Sequence, residues 1–301
     1  MSNRLFFSTL RLRTVPLSLS GVLLGIMLAA ADYHINYLAA LFIVLTAACL
    51  QILSNVSNEL GDFQRGTVSG QGRECSASIS DGTIDQTYLE RMVKLWVVLS
   101  VICGLVMIYF SFNTLFSLDS FVLMIVGYLA IKAAKKYTLG KNPYGYRGLG
   151  DLYVFIFFGL VSVIGAFFVC THSFGTWMML LPAMSIGFFS MAVLNVNNIR
   201  DMETDRQNRV TVAIKLGEKG AKIYQTLLIV AGWTCMSVYA GLRFFDPWHF
   251  LYVVTLPLFI AHLAVAWKNK GKALDKALPM LVISTFLFSI LSGAGFLIYL
   301  I

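Results

Sequence analysis

The sequence predicts an all-α, polytopic membrane protein with nine transmembrane helices arranged as bundles around a central cavity. Composition excludes an ordinary soluble globule, because 58% of the 301 residues are hydrophobic and only 13% charged, with a mean hydropathy of +0.76. A spanning helix needs about 20 mostly apolar residues. Such runs fall near 15–31, 37–57, 93–112, 115–134, 151–170, 176–195, 223–241, 249–267 and 279–300. The third distinguishing observation is the placement of charge. With an inward N-terminus the inward segments are 1–14, 58–92, 132–150, 198–222 and 268–278; these, with Lys94 just beyond the second, hold every Lys and Arg except Arg243. The positive-inside rule thereby fixes a topology with the N-terminus and long loops cytoplasmic and the C-terminus outside.

Taken in order, the first run has a basic flank (Arg4, Arg11, Arg13) and ends Leu28-Ala29-Ala30-Ala31, a pattern it shares with cleaved signal peptides. Retaining it as a helix accounts for the charge distribution. The third and fourth runs are joined by a very short turn, and the outward connections are generally short, whereas 58–92, 132–150 and 198–222 are long and polar. Long loops gathered on one face are where function usually sits. No linker divides the chain, so 1–301 reads as one membrane domain. It carries a faint internal repeat: the runs at 37–57 and 176–195 are each followed by an Asn/Asp motif, and pairing Asn58 with Asn197 also pairs Asp62 with Asp201. The net charge of +8 is explained by orientation and by anionic membrane lipid, so it calls for no nucleic-acid partner. The cysteines form no C-x-x-C pair, and three of the four histidines (His34, His172, His249) fall in or beside outward turns. Neither a disulfide framework nor a His-based metal site is indicated.

Carboxylates and amides at the inner ends of membrane helices are costly unless they face a cavity or a partner. Asn58 and Asp62 are four apart, and Asn197, Asp201 and Asp205 repeat the interval, which places each set on one helix face. Oxygen ligands converging from two helices suit a hard cation such as Mg²⁺ bound through one or two carboxylates, water and substrate phosphate. Cations stand nearby: Lys132, Lys135, Lys136, Lys141 and Arg147 between helices four and five, and Arg65, Arg73, Arg200 and Arg206 near the carboxylates. Such groups can neutralise a diphosphate. They serve equally to orient the chain and bind lipid headgroups.

The string Asn197-Asn198-Ile-Arg-Asp201-Met-Glu-Thr-Asp205-Arg206, followed by Thr211-Val-Ala-Ile-Lys-Leu-Gly217, resembles the second Asp-rich motif of the UbiA-type membrane aromatic prenyltransferases, and Asn58 to Asp62 resembles the first. The stretch from Tyr137 through Pro143-Tyr144-Gly145-Tyr146-Arg147-Gly148-Leu149-Gly150-Asp151 resembles the loop of one branch, the 1,4-dihydroxy-2-naphthoate polyprenyltransferases of menaquinone synthesis. The resemblance implies a bacterial inner-membrane enzyme that transfers a polyprenyl group from polyprenyl diphosphate to 1,4-dihydroxy-2-naphthoate, releasing CO₂ and diphosphate. It implies Mg²⁺ on Asn58, Asp62, Asp201 and Asp205. It further implies substrate or diphosphate contacts from Asn197, Asn198, Tyr137, Lys141, Arg147, Arg65 and Arg206, with Asp151 orienting a ring hydroxyl or taking up a proton. Phe-, Leu- and Met-rich helices around 155–168 and 178–189 would line a corridor for the prenyl tail. The chain departs from the pattern in three places: Glu59 follows Asn58 where Asp is usual, a further Asp is missing around Gly66-Thr67-Val68, and 69–80 lacks a Pro-Arg element. A sister enzyme acting on 4-hydroxybenzoate, homogentisate, haem or a chlorophyllide is the nearer alternative. A secondary transporter would need polar groups deep in the bilayer, and the centres of these helices are nearly charge-free.

Overall fold

A computed structural model of the chain describes residues 10–65, 85–206, 209–243 and 246–298. Nine long helices run through these residues: α1 (Val15–Asp32), α2 (Tyr37–Gln64), α3 (Gln86–Phe112), α4 (Leu118–Lys136), α5 (Gly150–Thr171), α6 (Trp177–Arg200), α7 (Val212–Leu242), α8 (Pro247–Lys268) and α9 (Gly271–Ile298). Eight are long and apolar enough to cross a membrane. The ninth, α4, has 19 residues and carries Asp119 in its first turn and Lys135 and Lys136 in its last, so its charges sit at the two ends where a bilayer is polar.

The helices match the apolar runs at the ends joined by short turns and overshoot five of them on the side that carries the long loops. Helix α2 continues to Gln64 and α6 to Arg200, while α3 begins at Gln86, α7 at Val212 and α9 at Gly271. These extensions mix polar with apolar residues, so they satisfy helical hydrogen bonding without looking membrane-like. Asn58 and Asp62 therefore lie in the last two turns of a continuous helix. Several ends are capped by sequence: Asn36 accepts from the amides of Leu38 and Ala39, and Thr211 from that of Ile214. Gly217, at φ 69°, breaks α7 after its first turn. Helix α5 departs from α geometry between Phe155 and Val161, where it widens into a π turn.

Two packed groups enclose a cavity. In one, α1, α5, α6, α7, α8 and α9 share an apolar core including Leu24, Leu28, Phe167, Ile186 and Tyr252. At its centre the Phe189 ring lies 4.8 Å from Phe259 and 4.9 Å from Phe288. In the other, α2 and α3 pack along their length through Leu53, Val56, Leu60 and Leu89, with α4 beside them. Helix α4 is largely exposed and buries only Ser120 and Ala133. The cavity, about 520 Å³, is walled by α1, α2, α4, α5 and α6, and the inner ends of α2, α6 and α9 contribute its polar mouth.

Candidate active site

Asp62 is the meeting point of the site. Its helix is joined to the 137–149 loop through Gly61, where a β-carbon would stand 2.6 Å from that of Thr138. The Thr138 hydroxyl donates to the Ser57 carbonyl at 2.9 Å and lies 3.2 Å from Asn58 Oδ1. Arg65, one turn on, donates to the carbonyls of Thr138 and Gly140. Its guanidinium also lies 4.5 Å from the centre of the Tyr146 ring. Arg65 thus fastens the loop to α2. Arg209 also packs on Tyr146, its guanidinium 4.3 Å from the same ring centre.

Tyr146 donates its hydroxyl to Asp62 Oδ1 at 3.1 Å, and Arg209 Nη2 reaches the same oxygen at 2.5 Å and the Tyr146 hydroxyl at 3.0 Å. Burial raises the Tyr146 phenol above its ordinary value against the opposing pull of Arg209, so the hydroxyl stays protonated and able to donate. Arg209 Nε also stands 3.7 Å from Asp205 Oδ1. One guanidinium consequently ties the first motif to the second. The backbone reinforces this, since the Val210 amide donates to the Tyr146 carbonyl at 3.0 Å and Arg147 and Val210 form a parallel bridge.

The second motif is clamped from within. Arg200 donates Nε and Nη2 to the two carboxylate oxygens of Asp201 at 2.9 and 2.8 Å, Nη2 to Asn197 Oδ1 at 2.8 Å, and Nη1 to Asp275 at 3.1 Å. Deeper in α6, Asn195 donates to the Ala221 carbonyl and to Gln225, which in turn meets His262. That buried chain pins α6 to α7 and α8 just below the motif.

Asn58, Asp62, Asn197 and Tyr137 line the cavity, as do Arg11, Arg13, Arg200 and Arg209. Lys141, Arg147 and Arg206 are exposed and stand outside its wall. Asn198 is buried away from it. Asp151 is also buried, at the start of α5, but accepts from the Tyr224 hydroxyl at 3.3 Å and does not line the cavity. Glu59, the residue that departs from the family pattern, is buried and ion-paired with Arg11. Arg73 and the departures at 66–80 lie outside the described residues. Sequence reasoning passed over Arg209, Tyr146 and Arg11. For Arg209 the spacing Asp205-x-x-x-Arg209, four apart on a helical turn, was the available signal.

The donors at the mouth are all oxygens, from carboxylates and amides, which is the chemistry of a hard divalent cation. Among the described residues no three of His, Cys, Asp and Glu gather closely enough to hold a metal by themselves. A hard cation held there would have to complete its shell with water and substrate phosphate. Asp62 and Asp205 already share one cation, the Arg209 guanidinium, which stands between the two motifs.

An apolar helical bundle enclosing a cavity with a polar, ion-rich mouth is an arrangement suited to a membrane-embedded enzyme. The chain belongs to the UbiA prenyltransferase family, whose pattern matches residues 18–298, and it is a prenyltransferase. It is 34% identical over 256 residues to the 1,4-dihydroxy-2-naphthoate octaprenyltransferase of Escherichia coli, covering 85% of this chain and 82% of that one. It is 33% identical to the protein of the same description from Haemophilus influenzae, covering 98% and 96%. The apo structure of a UbiA homolog from Aeropyrum pernix shares the fold over the full length of both chains, with a TM-score of 0.69 at 15% identity.

Proposed function

We propose that this protein transfers a polyprenyl group from polyprenyl diphosphate to 1,4-dihydroxy-2-naphthoate, releasing CO₂ and diphosphate to give demethylmenaquinol, the reduced form of demethylmenaquinone. The observation that carries the reading is the convergence of Asn58 and Asp62 from α2 with Asn197 from α6 at the mouth of one apolar cavity, flanked by Arg200 and Arg209. The similarity to octaprenyltransferases over most of the chain supports this acceptor and a long polyprenyl donor.

In this reading Asp62 and Asp205, with Asn58, Asn197 and Asp201, would hold Mg²⁺ together with the diphosphate. Bound there, Mg²⁺ supplies the charge neutralisation that lets the allylic C–O bond break. Arg200 and Arg209 face the departing diphosphate and stabilise its oxygens through charge-assisted hydrogen bonds. Tyr137, Tyr144 and Tyr153 wall the cavity beneath, Tyr144 and Tyr153 stacked at 3.9 Å. Their faces stabilise the allylic cation, and the apolar wall excludes the water that would quench it. The ring carbon bearing the carboxylate attacks the cation. Its bond to the carboxylate then breaks, the electron pair returns to the ring, and CO₂ leaves. Lys141, Arg147 and Arg206, at the exposed rim, draw the diphosphate to the mouth. The enzyme sits in the bacterial inner membrane with its N-terminus and this mouth cytoplasmic and its C-terminus outside.

Purified protein with Mg²⁺, 1,4-dihydroxy-2-naphthoate and octaprenyl diphosphate should yield the prenylated, decarboxylated product by mass detection. Offered 4-hydroxybenzoate, homogentisate, haem or chlorophyllide in the same preparation, it should prefer the naphthoate. Preference for another acceptor would replace the assignment.

A further inference from the structure

We infer that Gly127 of α4 and Gly165 of α5 set the length of isoprenoid tail the cavity accepts, a reading that rests on the proposed function. Along α2 the cavity wall runs from Ile43, near the outer end, to Asp62 at the mouth. Nineteen residues of helix at 1.5 Å each make this about 28 Å, close to the roughly 30 Å of a bilayer's hydrocarbon core. The space is a corridor rather than a pocket for the aromatic acceptor alone. Its outer reach is walled by Ile43, Met107, Leu123, Gly165 and Val169.

Glycine inside a helix costs up to about 1 kcal/mol relative to alanine, so its presence in an apolar helix calls for a reason. At most other glycines within the helices close packing supplies it, Gly104 and Gly241, which do not line the cavity, being the open exceptions. A β-carbon on Gly159 would stand 2.6 Å from Gly187 Cα, and one on Gly293 2.6 Å from the Met27 side chain. At Gly127 and Gly165 an added β-carbon meets nothing within 4 Å. Packing therefore does not require them. Both line the corridor from facing walls, and what the missing side chains leave is the corridor's width. Gly127 lies nine residues from the inner end of α4, about 14 Å, and Gly165 twelve residues beyond Tyr153, about 18 Å. They stand at two depths along the path of a tail anchored by its diphosphate at the mouth. A branched isoprenoid chain needs that width at each depth, and a side chain placed there would close the corridor to whatever part of the tail extends past it.

The test is a graded series, Gly165→Ala, Gly165→Val and Gly165→Leu, with the same series at Gly127, assayed on allylic diphosphates from geranyl to octaprenyl. The readout is the ratio of kcat/KM for octaprenyl to that for geranyl diphosphate. Gly165→Leu should lower the ratio by about tenfold or more, in line with the discrimination a filled apolar pocket provides. Gly127→Leu, nearer the mouth, should shift the preferred length to shorter tails than Gly165→Leu does. A ratio unchanged in both leucine variants overturns the inference, as does an equal loss for every donor length. Melting temperature supplies a check that does not depend on catalysis: the two alanine variants should be as stable as the wild type or more so, and a marked loss would show that packing demands glycine, again overturning it. Wild-type protein that makes no product from dihydroxynaphthoate sinks the proposed function; active wild type with an unmoved ratio sinks only the role of the glycines.

Discussion

Asp201 is gripped by its own neighbour, Arg200, whereas Asp62 depends on groups 84 and 147 residues away along the chain, Tyr146 and Arg209. The two motifs look alike in sequence and are matched in spacing, yet one is organised locally and the other by loops that reach it only in the folded molecule. The N-terminal segment adds to the contrast, since Glu59 beside the first motif is engaged by Arg11 and the equivalent position after Asn197 is the amide Asn198. A site built this way has a rigid half and a half whose geometry is assembled by tertiary contact. Four perturbations should separate the halves.

The largest effect is expected from the carboxylates. Asp62→Ala, Asp201→Ala and Asp205→Ala should each lower kcat/KM by about 100-fold or more, as removal of groups that stabilise developing charge does. Unchanged rates in Asp201→Ala and Asp205→Ala would end the metal assignment. Stability should distinguish the halves at the same time: Asp62→Ala releases Tyr146 and Arg209 and should lower the melting temperature, while Asp201→Ala leaves Arg200 still joined to Asn197 and Asp275. Arg209→Ala should come next. It removes the Arg209 ion pair of the buried Asp62 carboxylate, costing about 3 kcal/mol of stability, and activity should fall by about 10- to 100-fold. Arg209→Lys keeps the charge but not the planar fork, so thermal stability should recover further than catalysis.

Glu59→Gln should have a smaller effect, within about fivefold in kcat/KM, because the carboxylate is committed to Arg11. Its Mg²⁺ dependence should match that of the wild type, and a half-saturating concentration raised by about tenfold would reassign Glu59 as a ligand. The smallest effects are expected at the exposed rim: Lys141→Ala and Arg147→Ala should raise KM for the diphosphate by about threefold, a difference that shrinks as salt is added. A loss of kcat in either variant would show that the rim folds over the substrate.

Much of this architecture was legible in the chain before any coordinates, and the reasons differ by element. The spans could be read because a bilayer forces long apolar runs and strands charge on one side. The inner turns of α2, α3 and α7 could not, since polar helix beyond the hydrocarbon has no hydropathy signature. Asn58, Asp62, Asn197 and Asp201 were visible because carboxylates and amides stand out at the ends of membrane helices. Arg209 was not, being one cation among many on the inner face, and its importance comes from contacts with Asp62 and Tyr146 that no local pattern encodes. Lys141 and Arg147 illustrate the converse: their placement in a family-like loop suggested contact with substrate, and the fold puts them at the rim.

The π turn at Phe155–Val161 lies in the wall of the corridor. A wide turn carries an extra residue for nearly the same advance along the axis and leaves the helix on either side in register. Tyr153 and Val154 on one side of it, and Ser162, Gly165 and Val169 on the other, address the same cavity. Phe157, Phe158 and Val161 of the wide turn line it as well, so the break in helix geometry sits between the tyrosines near the mouth and the glycine of the outer reach, and the carbonyls it loosens stand beside the path of the tail.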